Sequence, residues 1–517
     1  MVLTKNYLIT KFKNVIKLMH VKILILFLLI AISNFAQQKD SLTTKKNEQN
    51  YYTLNELRDQ LDDSFNDQNF SNAFWGVLVK SLNTGEIIYK RNADKLFTPA
   101  SNMKLFTSAA ALMLLGTGYA FTTDIYANGI IKEGKLQGDL IIQGTGDPTI
   151  SKRFYNGKVT TVFEKWADSL TQHGIYEITG NIYGDDTAFD NVGLGKGWQW
   201  DIESNWFSAP SGALSFDDNA IEIIVKPSEI GFPAEIQLIP NTSYVNIVSK
   251  VITVYDNSEQ PIQIARLRGT NLISINGSIK KNSSPVSNFV SISDPTMYFL
   301  TVLKEVFESK GIAVKGRIGS IDTAEKIIIN ENLSHLFTHE SVPLHLILKE
   351  LNKNSNNFYA EQILKTIGYE INGFGSLENG VKACKELFNT MGINSENMVI
   401  ADGSGLSSLN LVTPRQLVTL LTYMNKTDQF EAFYDSLPIG GVDGTLIDRM
   451  KKTSAEYNVR AKAGYSNNTS SLSGYIKTVG GEMLVFSMIV NNFLVPPNFA
   501  EYVEDNVCNR LANFVRN

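Results

Sequence analysis

Apolar positions recur with two periods along this chain, and the change of period divides it. From Phe74 the run FWGVLVKSLNTGEIIYKRNADKLFTPAS carries two strand-like segments around the turn NTG. A helix is predicted from Ser101 to about Leu115, where GTG stops it. Between about 120 and 290 the pattern changes to short β-rich runs broken by glycines, such as IYANGIIKEGKLQGDLIIQGTGDPTI, AIEIIVKP and NLISINGSI. A short helix is predicted there, near TVFEKWADSLTQHG. Helical periodicity returns at 295–310, 343–351, 357–369, 377–391 and 414–425. Three strand runs follow, NVRAKAG, SLSGYIKTV and MLVFSMIVNN, and a closing helix is predicted at 498–515. Helices and strands at both ends therefore flank a mostly β middle.

The first residues follow a different pattern. Residues 1–36 carry five lysines and no acid, with an unbroken apolar run Ile23–Ile32 followed by SNFA. That order of basic, apolar and small-residue segments predicts a secretory signal peptide over 1–36. Its apolar run is shorter than the roughly 20 residues a spanning helix needs, so a retained N-terminal anchor is the weaker reading. Residues 37–52, QQKDSLTTKKNEQNYY, read as a flexible polar leader. An exported protein would be periplasmic.

Composition narrows the classes further. With 517 residues, 43% hydrophobic and 19% charged, the chain can bury a sizeable core. Loss of the signal would move the net charge from −5 to −10, because five lysines and no acid leave. An acidic surface argues against nucleic acid as a partner. Cys384 and Cys508 would reach an oxidising compartment, and the sequence leaves their pairing open. Metal catalysis finds no support among five histidines. His339-Glu340 begins like a zinc motif, but the next histidine is His345 and Pro343 intervenes. No cofactor motif is present.

One residue conflicts with its surroundings. Lys104 lies in FTPASNMKLFTSAAALM, an otherwise apolar or small helical run, three residues after Ser101. On a helix those two side chains share a face. A desolvated lysine loses basicity and can take a serine proton. Two further polar stations follow: Ser355-Asn356-Asn357 before an amphipathic helix, and Lys462-Ala463-Gly464 ending a strand. S-x-x-K, S-x-N and K-x-G in that order form a constellation for nucleophilic acyl transfer.

On these motifs the sequence resembles the penicillin-binding proteins. More narrowly it is similar to the class C, low-molecular-mass D-alanyl-D-alanine carboxypeptidase/endopeptidases. GDLIIQGTGDPTI, ITGNIYGDD, SAPSGALSFDDNAI, SDPTMY, NKNSNNFYAE, DGSGLS and LPIGGVDGTL carry the likeness over nearly the whole mature chain. The resemblance implies an α+β serine-acylase (β-lactamase-like) fold, an antiparallel sheet flanked by helices. It implies a catalytic domain built from 53–120 and 290–517, with a β-rich insertion at 121–289 made of two modules. Its implied roles are Ser101 as nucleophile, Lys104 as general base and Ser355 as proton relay. Asn357 would hold the substrate amide and Lys462 its carboxylate. Gly464 would border the substrate, and the backbone N–H groups of Ser101 and Tyr465 would form the oxyanion hole. Asp147 would face the cleft and pair with the amine of a diamino-acid side chain. The implied partners are peptidoglycan stem peptides and β-lactam inhibitors, with self-association left open.

Two positions depart from the family pattern: Ala463 replaces a usual Thr or Ser, and Ser408 replaces a frequent Arg. They motivate an alternative, a catalytically weakened wall-binding protein of the same fold. A β-lactamase reading lacks the E-x-x-L-N acid at the required spacing.

Overall fold

The computed structural model describes residues 52–255, 260–321 and 333–516. The expected signal peptide at 1–36 and leader residues 37–51 lie outside them. Tyr52, the last residue expected in the leader, already belongs to the fold and pairs with Phe514. Among the described residues no helix is long and apolar enough to cross a membrane.

A five-stranded antiparallel sheet organises the catalytic half. Its spatial order is Arg460–Ser466, Thr469–Lys477, Met483–Asn491, Phe74–Ser81 and Ile87–Arg91. Side chains alternate along each strand, so both faces must be covered when both are apolar. Leu484, Phe486, Met488 and Val490 pack with the helices Leu54–Phe65 and Pro497–Ala512. Val485 and Ile489 face the opposite core, built from Met103–Leu114, Leu344–Lys353, Asn357–Asn372, Leu377–Thr390 and Pro414–Met424. Antiparallel sheet between helices is the α+β architecture expected. The sequence pattern did not single out the first helix, Leu54–Phe65, whose Thr53 capping box fixes its start.

The inserted region follows the nucleophile helix. Its long hairpin, Thr122–Lys132 with Lys135–Gly144, centres a seven-stranded sheet. Two elements beyond the boundary expected at 289 pack with this region. Helix Pro295–Ser309 buries Tyr298, Phe299, Leu300 and Leu303 in the insertion's core, and strand Leu333–Glu340 pairs with Thr122–Lys132. The helix carries its apolar stripe toward the insertion, which no local pattern shows. The two modules expected there are four sheets among the described residues, and they share a single hydrophobic core.

Cys384 and Cys508 are both free and buried in different cores, so they form no bridge with each other.

Candidate functional site

Ala100–Asn102 forms one 3-10 turn that runs directly into the helix Met103–Leu114. Ala100 adopts a left-handed φ of 46°, a strained conformation for a residue with a Cβ, immediately before Ser101. Lys104 is fully buried, and its Nζ has three oxygens within hydrogen-bond distance. Ser101 Oγ lies at 3.1 Å, Asn357 Oδ1 at 2.6 Å and the Ser404 carbonyl at 2.7 Å. The last two can only accept, whereas a hydroxyl can also donate. A neutral amine therefore satisfies both obligate acceptors and keeps its lone pair for the Ser101 proton.

The electrostatics agree with that geometry. Burial lowers the Lys104 ammonium to about 7, against the opposing pull of Asp402 and Glu361. Burial also holds Lys462 well below its ordinary value, and the neighbouring Lys104 adds to the effect. Two ammonium groups this close disfavour each other's charge.

The second station is set by a helix start. Asn356 caps Asn357–Asn372 by accepting from the Tyr359 N–H, and Ser355 just before it takes a φ of 54°. That turn aims Ser355 Oγ at Lys462 Nζ, 3.0 Å away. Asn357 spans two regions, because its Nδ2 donates to the Phe207 carbonyl of the insertion while its oxygen holds Lys104.

The third station lies on the edge strand Arg460–Ser466. Lys462 Nζ donates to Ser355 Oγ and to the Ala463 carbonyl. Gly464 faces the nucleophile's backbone, where a Cβ would come within 2.7 Å of the Ser101 nitrogen. Ala461 N–H points away from the sheet to the Pro438 carbonyl, and strand alternation puts the Tyr465 N–H on that same open side. Asn102 ties the segments together, donating to the Lys462 carbonyl and to Ser471 Oγ.

The structure thus gathers Ser101, Lys104, Ser355, Asn357, Lys462, Gly464 and the Tyr465 backbone. Asp147 behaves differently. Its side chain is 1% exposed, with Oδ1 accepting from Thr149 N–H and Oγ1 and Oδ2 lying 3.5 Å from His339 Nε2. It forms a turn before Pro148, and its buried Oδ2 has no hydrogen-bond partner among the described residues.

Sequence reading passed over Glu361 and Asp402. Both are buried, and burial with the Asp402 charge raises Glu361 to about 7. For Glu361 the only local signal was a carboxylate directly after the apolar triplet FYA, in an amphipathic run, NFYAEQILK, that also carries Lys365.

Comparisons with known proteins agree on one family. The chain matches the model of the D-Ala-D-Ala carboxypeptidase 3 (S13) family over residues 57–514. It is 34% identical over 473 residues to the D-alanyl-D-alanine carboxypeptidase of Actinomadura sp. (strain R39), covering 89% of this chain and 85% of that one. The fold resembles penicillin binding protein 4 from Haemophilus influenzae, with a TM-score of 0.76 and 24% identity over 87% of this chain and 99% of the other. The same H. influenzae protein complexed with a β-lactam matches with a TM-score of 0.72, at the same identity and coverage. With its three motifs converging on one buried lysine, the chain belongs to the D-Ala-D-Ala carboxypeptidase 3 (S13) family.

Proposed function

We propose that this protein is a serine D,D-peptidase of peptidoglycan maturation, working through an acyl-enzyme on Ser101. The observation that carries the reading is the Lys104 amine, wholly buried and 3.1 Å from Ser101 Oγ, with Asn357 and Ser404 occupying its other hydrogen-bonding directions. Ser101 Oγ attacks the carbonyl carbon of a D-Ala-D-Ala terminus or a D,D cross-link, and Lys104 accepts the hydroxyl proton. The tetrahedral oxyanion is held by the backbone N–H groups of Ser101 and Tyr465, a role supported by the close packing of Gly464 on the Ser101 nitrogen.

The proton then passes from Lys104 to Ser355, and from Ser355 to the leaving amine. Lys462 orients the Ser355 hydroxyl and presents positive character to the leaving group's carboxylate. Asn357 fixes Lys104 and lines the path of the substrate amide. Water hydrolyses the acyl-enzyme by the reverse proton route. A β-lactam presents the same carbonyl to Ser101, and its tethered leaving group slows the second step.

The N-terminal basic and apolar segment supports export to the periplasm, where peptidoglycan lies.

The wall-binding alternative draws on Ala463 and Ser408, and one comparison separates the two readings. Wild type and Ser101→Ala are incubated with a fluorescent penicillin and run on a denaturing gel, and purified muropeptides are then digested. Covalent label on wild type alone, with D-Ala or cleaved cross-links released, is expected. Wild type without label overturns the acyl-enzyme; label without released product favours the weakened protein.

A further inference from the structure

The turn at residues 402–407 is clamped by two carboxylates that the mechanism leaves unused. Glu361 accepts from the N–H groups of Gly403 and Ser404, at 3.2 and 2.9 Å. Asp402 accepts from Gly405 and Ser407 N–H, from Asn410 Nδ2 and from Trp198 Nε1. The amides of 403 and 404 thus face the Asn357 helix, and their carbonyls face the nucleophile helix. The Gly403 carbonyl takes Thr107 Oγ1 at 2.6 Å, and the Ser404 carbonyl takes Lys104 Nζ at 2.7 Å. The turn cannot shift in either direction. A Cβ at Gly403 would meet the Ala360 carbonyl at 2.7 Å, and one at Gly405 would meet the Ala100 carbonyl at 1.9 Å.

We propose that Glu361 is a positioning residue for Lys104, holding the Ser404 carbonyl against the amine and supplying a negative charge beside it. The inference rests on Lys104 being the base. Three titratable groups interact with that amine: Glu361 from the Asn357 helix, Asp402 from the turn and Lys462 from the edge strand. Glu361 also borders a cavity of about 800 Å³, whose other charged lining groups are Asp190, Lys196, Lys365 and Glu378. Asp190 and Lys365 pair with each other there.

The two contributions oppose each other, and this makes them separable. Glu361, raised to about 7, is ionised on the upper side of that value; its charge there favours the protonated amine, so removing it favours the free base at lower pH. Its two hydrogen bonds hold the turn, so removing an acceptor slows the reaction at every pH.

The test measures second-order acylation by a chromogenic cephalosporin from pH 5 to 9. It uses the full chain, Glu361→Gln, Glu361→Asp and, as a cavity control, Glu378→Gln. Glu361→Gln is expected to lower the plateau rate about tenfold while moving the acid-side midpoint to lower pH. Glu361→Asp keeps the charge, and is expected to retain the wild-type midpoint with a reduced plateau. Glu378→Gln should match wild type. A Glu361→Gln variant whose midpoint does not move overturns the proposal, whether or not it is slow, since a purely structural role slows without shifting. If that variant does not fold, a Glu361→Asp plateau equal to wild type overturns it. Absence of acylation in wild type would instead remove the acyl-enzyme reading itself.

Discussion

Gly464 lies against the backbone nitrogen of Ser101, so closely that a Cβ at that position would stand 2.7 Å from it and 2.5 Å from Ser471 Oγ. The edge strand and the nucleophile turn touch there without an intervening side chain. Two N–H groups from distant parts of the chain can then point at one oxygen. Gly464→Ala should separate them and cut acylation by about 100- to 1,000-fold, the usual cost of losing one oxyanion donor. Penicillin labelling kinetics read the loss, and an unchanged rate would contradict the proposed oxyanion hole.

The acylation rate should depend on pH through Lys104. Its ammonium is lowered from 10.5 to about 7, so the free base grows as pH rises through that value. Acylation is expected to rise with an inflection near pH 7 and then level. The same shift reaches stability. Between about pH 7 and 10.5 the unfolded chain holds the Lys104 proton and the folded chain does not, so this group makes stability rise with pH across that window. Urea titrations at pH 7 and 9 should show a smaller rise for Lys104→Met than for wild type.

Ala463 presents a methyl group beside Lys462 where relatives of this family usually place a hydroxyl, while its own carbonyl is taken by Lys462 Nζ. Ala463→Thr adds a donor for the substrate carboxylate. One such hydrogen bond is worth about 1 kcal/mol, or roughly fivefold, and should appear mainly as a lower KM for peptides ending in D-Ala-D-Ala. An unaltered KM would mean that the carboxylate is bound elsewhere.

Asp147 supports structure in the insertion. Asp147→Ala removes the acceptor of Thr149 and a carboxylate 3.5 Å from half-buried His339. The substitution should cost about 1–3 kcal/mol of stability and leave the acylation rate within about twofold. A large change in KM toward diamino-acid peptides with unchanged stability would restore the role first expected for it.

Much of this architecture was legible in the chain because it depends on neighbours in sequence. The short apolar run Met483–Asn491 and the helical period of Asn357–Asn372 are local, and the structure contains both elements. Lys104 was legible for a related reason, since a charge inside an apolar helical run needs a partner. The core joined by the helix just past 289 was not. Helix Pro295–Ser309 has an apolar stripe that fits either core, and only the packing of Tyr298 and Phe299 assigns it.

Most elements, the three motifs and an amine too costly to bury without purpose could be read from the chain alone, though helix Leu54–Phe65 could not. The tertiary structure decided which groups meet that amine: Asn357 from 253 residues away and the Ser404 carbonyl from 300. It also buried Asp147 against Thr149 and brought Glu361 and Asp402 beneath the site. The reason is physical. Periodicity reports which face of an element is buried, whereas desolvation and hydrogen bonding at a site depend on atoms that chain folding alone brings within 3 Å.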